Sequence, residues 1–140
     1  MRITLTLAAL IVAGNLVYLN IFLPVKISKK IKNRQYLQAF NYCYLLQDSD
    51  KIREVGNLIE NEFKKLSKKL KERRLERGEL KKMIDYLEII DVDYATFLKI
   101  VELLFDREEE KLIIKLIEKT DKPAWKKVLK KDLQELQNAE

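Results

Sequence analysis

The chain has 140 residues, 47% of them hydrophobic and 36% charged, with three Gly, two Pro, one Cys and no histidine. That length suits one domain of ordinary size plus an appendage, and so many core-forming residues exclude a disordered chain. The single cysteine, Cys43, excludes an intramolecular disulfide scaffold and allows a reducing compartment, while the net charge of +6 raises the question of an anionic partner.

The charge is not spread evenly. Arg2 supplies one unit and Lys26, Lys29, Lys30, Lys32 and Arg34 supply five, whereas residues 35–140 hold 22 basic and 22 acidic side chains. The excess therefore belongs to a short seam behind the amino-terminal stretch. That stretch, residues 3–25 (ITLTLAALIVAGNLVYLNIFLPV), has no charged position. As a helix it would span about 34 Å at 1.5 Å per residue, slightly more than the roughly 30 Å of bilayer hydrocarbon. The pattern predicts a transmembrane anchor over residues 1–25.

A cleaved signal peptide competes with this reading, with Val12-Ala13-Gly14 as the small-residue site. Cutting there would leave NLVYLNIFLPV as an apolar terminus, and the positive charge lies behind the stretch rather than ahead of it. Five basic residues after the span against one before it orient the carboxy-terminal part to the cytoplasm of a single-pass cell-membrane protein. Polar amides and small residues inside a span favour contact between helices, which makes Ala9, Ala13, Gly14 and Asn15 the candidate packing residues. Asn20 lies nearer the boundary. Pro24 lacks an amide donor and predicts a kink at the membrane exit.

The basic juxtamembrane segment, residues 26–34, would contact anionic headgroups through Lys26, Lys29, Lys30, Lys32 and Arg34. Each contributes about 1 kcal/mol near an anionic leaflet, and Ile27 and Ile31 would give the segment a narrow apolar side.

From residue 35 to 140 the periodicity is helical throughout, without the alternation of a strand. The first segment, Gln35–Gln47, is apolar on much of its circumference. It would occupy either the centre of a bundle or the membrane interface. The second runs from Asp50 to Arg77, with Ile52, Val55, Ile59, Phe63, Leu66 and Leu70 on one arc and Gly78 as its carboxy-terminal cap. Then come Glu79–Ile90, a helix opened by Asp91–Asp93 with Tyr94, Phe97, Leu98, Val101, Leu104 and Phe105 on its face, and a helix capped by Asp106. A last helix starts at Pro123 and turns Trp125, Val128, Leu129, Leu133 and Leu136 inward. About six amphipathic helices with short joints imply an all-α bundle. The segments around Asp48–Asp50 and Asp91–Asp93 overlay at an offset of 43 residues, which would suit a short helical-repeat array as the alternative.

No catalytic pattern emerges. Without histidine the commonest general base and metal ligand is missing, and no phosphate loop or nucleophile elbow is present. The acidic pairs Asp48/Asp50 and Asp91/Asp93 fit helix caps better than a metal site. The sequence thus predicts no enzyme activity, no cofactor, no metal and no small-molecule substrate. Charge is nonetheless segregated: residues 64–82 hold ten basic and three acidic side chains, and residues 83–121 hold eleven acidic and five basic ones. These faces could attract one another, or Lys64, Lys68, Lys71, Arg73, Arg74 and Arg77 could form a docking surface. The functional expectation is a membrane-anchored adaptor or accessory subunit that contacts anionic lipids and a protein partner in or at the membrane. The alternatives are an immunity protein against a membrane-active toxin, or membrane-tethered nucleic-acid binding through residues 64–82. The last is weakened by the lack of interleaved aromatics.

Overall fold

A computed structural model describes residues 2–138, and among these every regular element is helical. Helix α1, Arg2–Val17, passes through a π-helical turn, Tyr18–Phe22, directly into α2, Leu23–Lys32. Then come α3 (Tyr36–Leu46), α4 (Ser49–Lys71), α5 (Arg77–Tyr86), α6 (Tyr94–Asp106), α7 (Glu110–Lys119) and α8 (Pro123–Gln137).

The π turn has an identifiable cause. Pro24 has no N–H, and its ring would collide with the carbonyl of Asn20 in a regular helix. Widening the preceding turn relieves that collision, and Leu23 N–H reaches back five residues to the carbonyl of Tyr18. The discontinuity expected at Pro24 is thus taken up one turn earlier, within an unbroken helical run.

The chain divides into two compact units, the first ending at Ile59 and the second beginning at Glu60, inside α4. In the first unit α2 and α3 pack together, joined by residues 33–35. So short a joint between helices in contact along their lengths makes them antiparallel. Leu23, Ile27, Ala39, Cys43, Val55 and Ile59 are the buried apolar residues here. Burial of Ile27 corrects the expectation that it would help seat the basic segment on headgroups.

The second unit is held by Phe63, Leu66 and Leu70 of α4 together with Leu80, Met83, Ile84, Phe97, Ile100, Leu104, Ile113 and Leu116, all buried. Helix α7 packs against α5, α6 and α8. Three ion pairs tie α5 and the segment after it to α7 and the segment after that: Asp85–Lys115 between the helices, Glu88–Lys119, and Asp91–Lys122, the last at 2.9 Å. Because both numbers rise together, α5 and α7 run parallel. At the start of the next pair Trp125 of α8 stacks on Phe97 of α6, centroids 4.2 Å apart, and on Tyr94 at 5.4 Å. The start of α8 therefore lies beside the start of α6, as α5 lies beside α7. This recurrence links α5–α6 to α7–α8, not the segments that overlay at the 43-residue offset.

Several boundaries depart from the sequence reading, and for one reason. Helices α2, α3, α4 and α6 end on residues in the left-handed region, Arg34, Gln47, Arg73 and Glu108, with φ of 54–56°. The residue after each donates its N–H to the carbonyl five positions back, at 2.9, 3.4, 2.9 and 3.0 Å respectively, which is the Schellman arrangement. None of the three glycines serves there. Hence α4 stops at Lys71 rather than Arg77, and Gly78 lies in the first turn of α5 instead of capping α4. Glu76 caps α5 reciprocally with Glu79, whose carboxylate accepts from Glu76 N–H at 3.1 Å. Asp106 ends α6 and does not cap α7, and only Glu110 of the acidic triplet enters the first turn. Asp48 and Asp93 do cap, accepting from Lys51 N–H at 3.0 Å and Thr96 N–H at 2.7 Å. Tyr94, Leu98 and Val128, expected in the core, are exposed, whereas Ile100 and Leu103 are buried.

Two substitutions test these ends. Asp93→Ala removes the cap of α6 and should lower stability by about 1 kcal/mol, seen as a lower Tm by circular dichroism. Glu108→Gly relieves the left-handed penalty at an exposed site without a side-chain partner among the described residues, and should raise stability by about 1 kcal/mol; an unchanged or lowered Tm contradicts that reading.

Candidate membrane and partner surfaces

Residues Ala9–Lys32 form the one helix among the described residues that is long and apolar enough to cross a membrane. A helix of that composition in a water-soluble core would be covered by its own chain. Here every residue from Ala9 to Phe22 is exposed, Leu10 at 67% and Leu16 at 54%, whichever way it points.

The expected packing residues are all exposed, but the helix does not gather them on one face. At about 100° per residue, Ala9 and Ala13 lie nearly in line, Gly14 is a quarter-turn away and Asn15 points almost opposite Ala13. Asn15 instead shares its side with Ile11 and Leu19. The two amides also differ. Asn20 Nδ2 donates to the carbonyl of Leu16 at 2.9 Å, so its polarity is met within the helix. The Asn15 side chain has no hydrogen-bond partner among the described residues. Of the two amides in this apolar helix, Asn15 is the one without an internal partner among the described residues.

After the exposed apolar stretch, Lys26, Lys29, Lys32 and Arg34 are exposed and Lys30 is half-buried. Lys29 and Lys32 occupy the side of α2 away from Leu23 and Ile27, Lys26 flanks it, Lys30 lies on the same side as the buried pair, and Arg34 follows the helix. The amino group of Lys26 sits 5.2 Å above the ring of Tyr18, and Lys30 Nζ donates to Gln35 Oε1 at 2.9 Å across the turn. Lys29, Lys30 and Lys32 also fall in the last turn of α2, where the helix dipole favours positive charge. Cys43 is buried on α3, and desolvation, ahead of the opposing effect of Lys51, pushes its thiol pKa up. It behaves as a small apolar side chain.

The basic stretch of the second unit divides in two. Arg73 pairs with Asp106 at 3.2 Å, Arg74 with Glu72 at 3.5 Å, and Arg77 with Glu109 at 2.9 Å. Arg107 adds donation to the carbonyls of Leu75 at 2.6 Å and Arg73 at 3.3 Å, so the α4–α5 joint is clamped by the α6–α7 joint. Arg73, Arg74 and Arg77 are thus paired yet largely exposed. Lys64, Lys68 and Lys71 have no ion pair among the described residues and lie along one exposed edge of α4. They border a cavity of about 430 Å³ whose other wall carries Asp91 and Asp93. Thr96, at the cap of α6, holds the Asp93 carboxyl below its ordinary range, with a smaller contribution from Lys71. The mixed charge of that cavity does not make a dedicated anion site.

A second cavity, about 310 Å³, lies between residues 87–92 and 119–122 beside Phe97 and Trp125. Thr120 Oγ1 there donates to the carbonyl of Leu116 at 2.7 Å, and Lys122 covers Trp125 at 4.2 Å. Among the described residues no three His, Cys, Asp or Glu side chains are grouped to hold a metal ion. No family model, curated protein or solved structure matches the chain.

Proposed function

We propose that the chain is a single-pass membrane-anchored interaction protein, an adaptor or accessory subunit that works by contact and not by catalysis. The apolar helix crosses the bilayer, and the basic segment from Lys26 to Arg34 holds α2 and everything after it on the cytoplasmic side. Carrying this reading is the all-round exposure of the apolar residues from Ala9 to Phe22, which fits hydrocarbon as solvent and not a core. The five cations that follow supply the orientation.

Asn15 is the residue through which the span meets a partner helix. Its amide has no partner within the described chain, and a buried interhelical hydrogen bond in lipid contributes about 0.6–2 kcal/mol. Ala9 and Ala13 lie on another side and allow a second close approach.

Two measurements test the proposal. Asn15→Leu should reduce recovery of the co-purifying membrane partner from detergent extracts by about three- to thirtyfold, following the hydrogen-bond energy, while Asn20→Leu should leave recovery unchanged. Equal recovery for both variants removes the contact. A reporter active only in the cytoplasm, fused after Glu140, should be active; activity only of an exported reporter contradicts the orientation.

A further inference from the structure

We infer that α3 is a second membrane contact: the α2–α3 hairpin returns the carboxy-terminal end of α3 to the headgroup–acyl boundary from which α2 leaves. This rests on the anchoring proposed above and adds a lipid-facing surface outside the span.

Helix α3, YLQAFNYCYLL, has no charged residue, in a chain that is 36% charged. A bundle-centre helix could be so composed if it were buried. Only Ala39 and Cys43 are. Tyr44 is 59% exposed and Leu45 63%, with Phe40 set edge-on against Tyr44 at 5.1 Å. An uncharged helix with an apolar exposed end has no use for that composition in water.

The hairpin fixes where this end lies. Helix α2 has 10 residues and α3 has 11, so each is about 15–17 Å long. The turn is closed by Gln35 N–H donating to the Lys30 carbonyl at 2.9 Å. Running back along α2, α3 therefore brings Tyr44 and Leu45 level with Leu23 and Phe22. There the exposed apolar surface of the span begins, with Ile21, Phe22 and Val25 all more than half exposed. The two apolar surfaces thus lie at one depth.

Side-chain chemistry selects lipid as the occupant. Tyr places an apolar ring in hydrocarbon and its hydroxyl among headgroups. Lys26 and Lys29, exposed on the neighbouring helix three and six residues beyond Leu23, sit within about one Debye length of an anionic surface at that depth. With both ends of the hairpin seated, α2 is held by two contacts instead of pivoting on one.

The test uses the full chain, reconstituted in phosphatidylcholine–phosphatidylglycerol vesicles. A nitroxide is placed at Leu45→Cys in a Cys43→Ala background, with Leu16→Cys in the span and Asn57→Cys on exposed α4 as references. Collision rates with oxygen, which concentrates in lipid, and with a neutral nickel chelate, which stays in water, are compared. The inference expects oxygen to dominate several-fold at both Leu16 and Leu45, and nickel at Asn57. Oxygen at Leu16 with nickel at Leu45 overturns it and leaves anchoring intact. Shielding of Leu45 from both reagents overturns it in favour of a protein cover. Nickel dominance at Leu16 overturns anchoring and the inference together. Should the cysteine background perturb folding, Tyr44→Trp in a Trp125→Phe chain gives the same reading: brominated acyl chains should quench most of its emission, and unquenched emission overturns the inference.

Discussion

The uncovered apolar helix is the constraint on which everything else depends. Leu10, Ile11, Val12, Leu16, Val17, Ile21 and Phe22 are each between 45% and 67% exposed. Covering an apolar side chain is worth about 1.5–3 kcal/mol when complete, so covering these together is worth on the order of 10 kcal/mol. That rivals the whole stability of a small domain, about 5–15 kcal/mol. Whatever takes up this surface therefore governs where the molecule resides, and hydrocarbon meets the requirement on every side at once.

Helix α2 joins the apolar run to the basic segment. It begins with Leu23 buried, carries Ile27 on the same side, and turns Lys29 and Lys32 outward on the other. Its last-turn cations serve the helix dipole in addition to any headgroup they meet. The π turn ahead of it accommodates Pro24 without interrupting the helical run, so a single element passes from apolar span to basic surface. Further along, surface ion pairs do a different job. Individually such pairs contribute little. The set from Asp85–Lys115 to Asp91–Lys122 aligns the end of α5 and the segment after it with the end of α7 and the segment after that, a matter of register more than of energy. Arg73, Arg77 and Arg107 likewise tie the α4–α5 joint to the α6–α7 joint.

Much of this was legible in the sequence. The period of Val55, Ile59, Phe63, Leu66 and Leu70 located the buried side of α4, and Asp48 and Asp93 announced helix starts. Helix ends were less legible because the chain closes them on Arg34, Gln47, Arg73 and Glu108, residues that carry no stop signal of their own. A search for glycine therefore ran past Lys71 to Gly78. Pairing of α5 with α7 escaped notice because it lies in spacing, with acids at 85, 88 and 91 answering lysines at 115, 119 and 122, and not in any local pattern. Among the candidate surfaces, the grouping of Ala9, Ala13, Gly14 and Asn15 followed proximity in sequence, which a helix disperses around its axis. The difference between Asn15 and Asn20 needed coordinates, because it turns on one hydrogen bond to the Leu16 carbonyl.

Extraction of the native membrane fraction at alkaline pH in carbonate tests the central claim most directly. Peripheral proteins are released by this treatment, and helices that cross the bilayer are retained. The account predicts that the full-length chain stays in the pellet and enters the supernatant only with detergent. Release of the intact chain into the carbonate supernatant would contradict it.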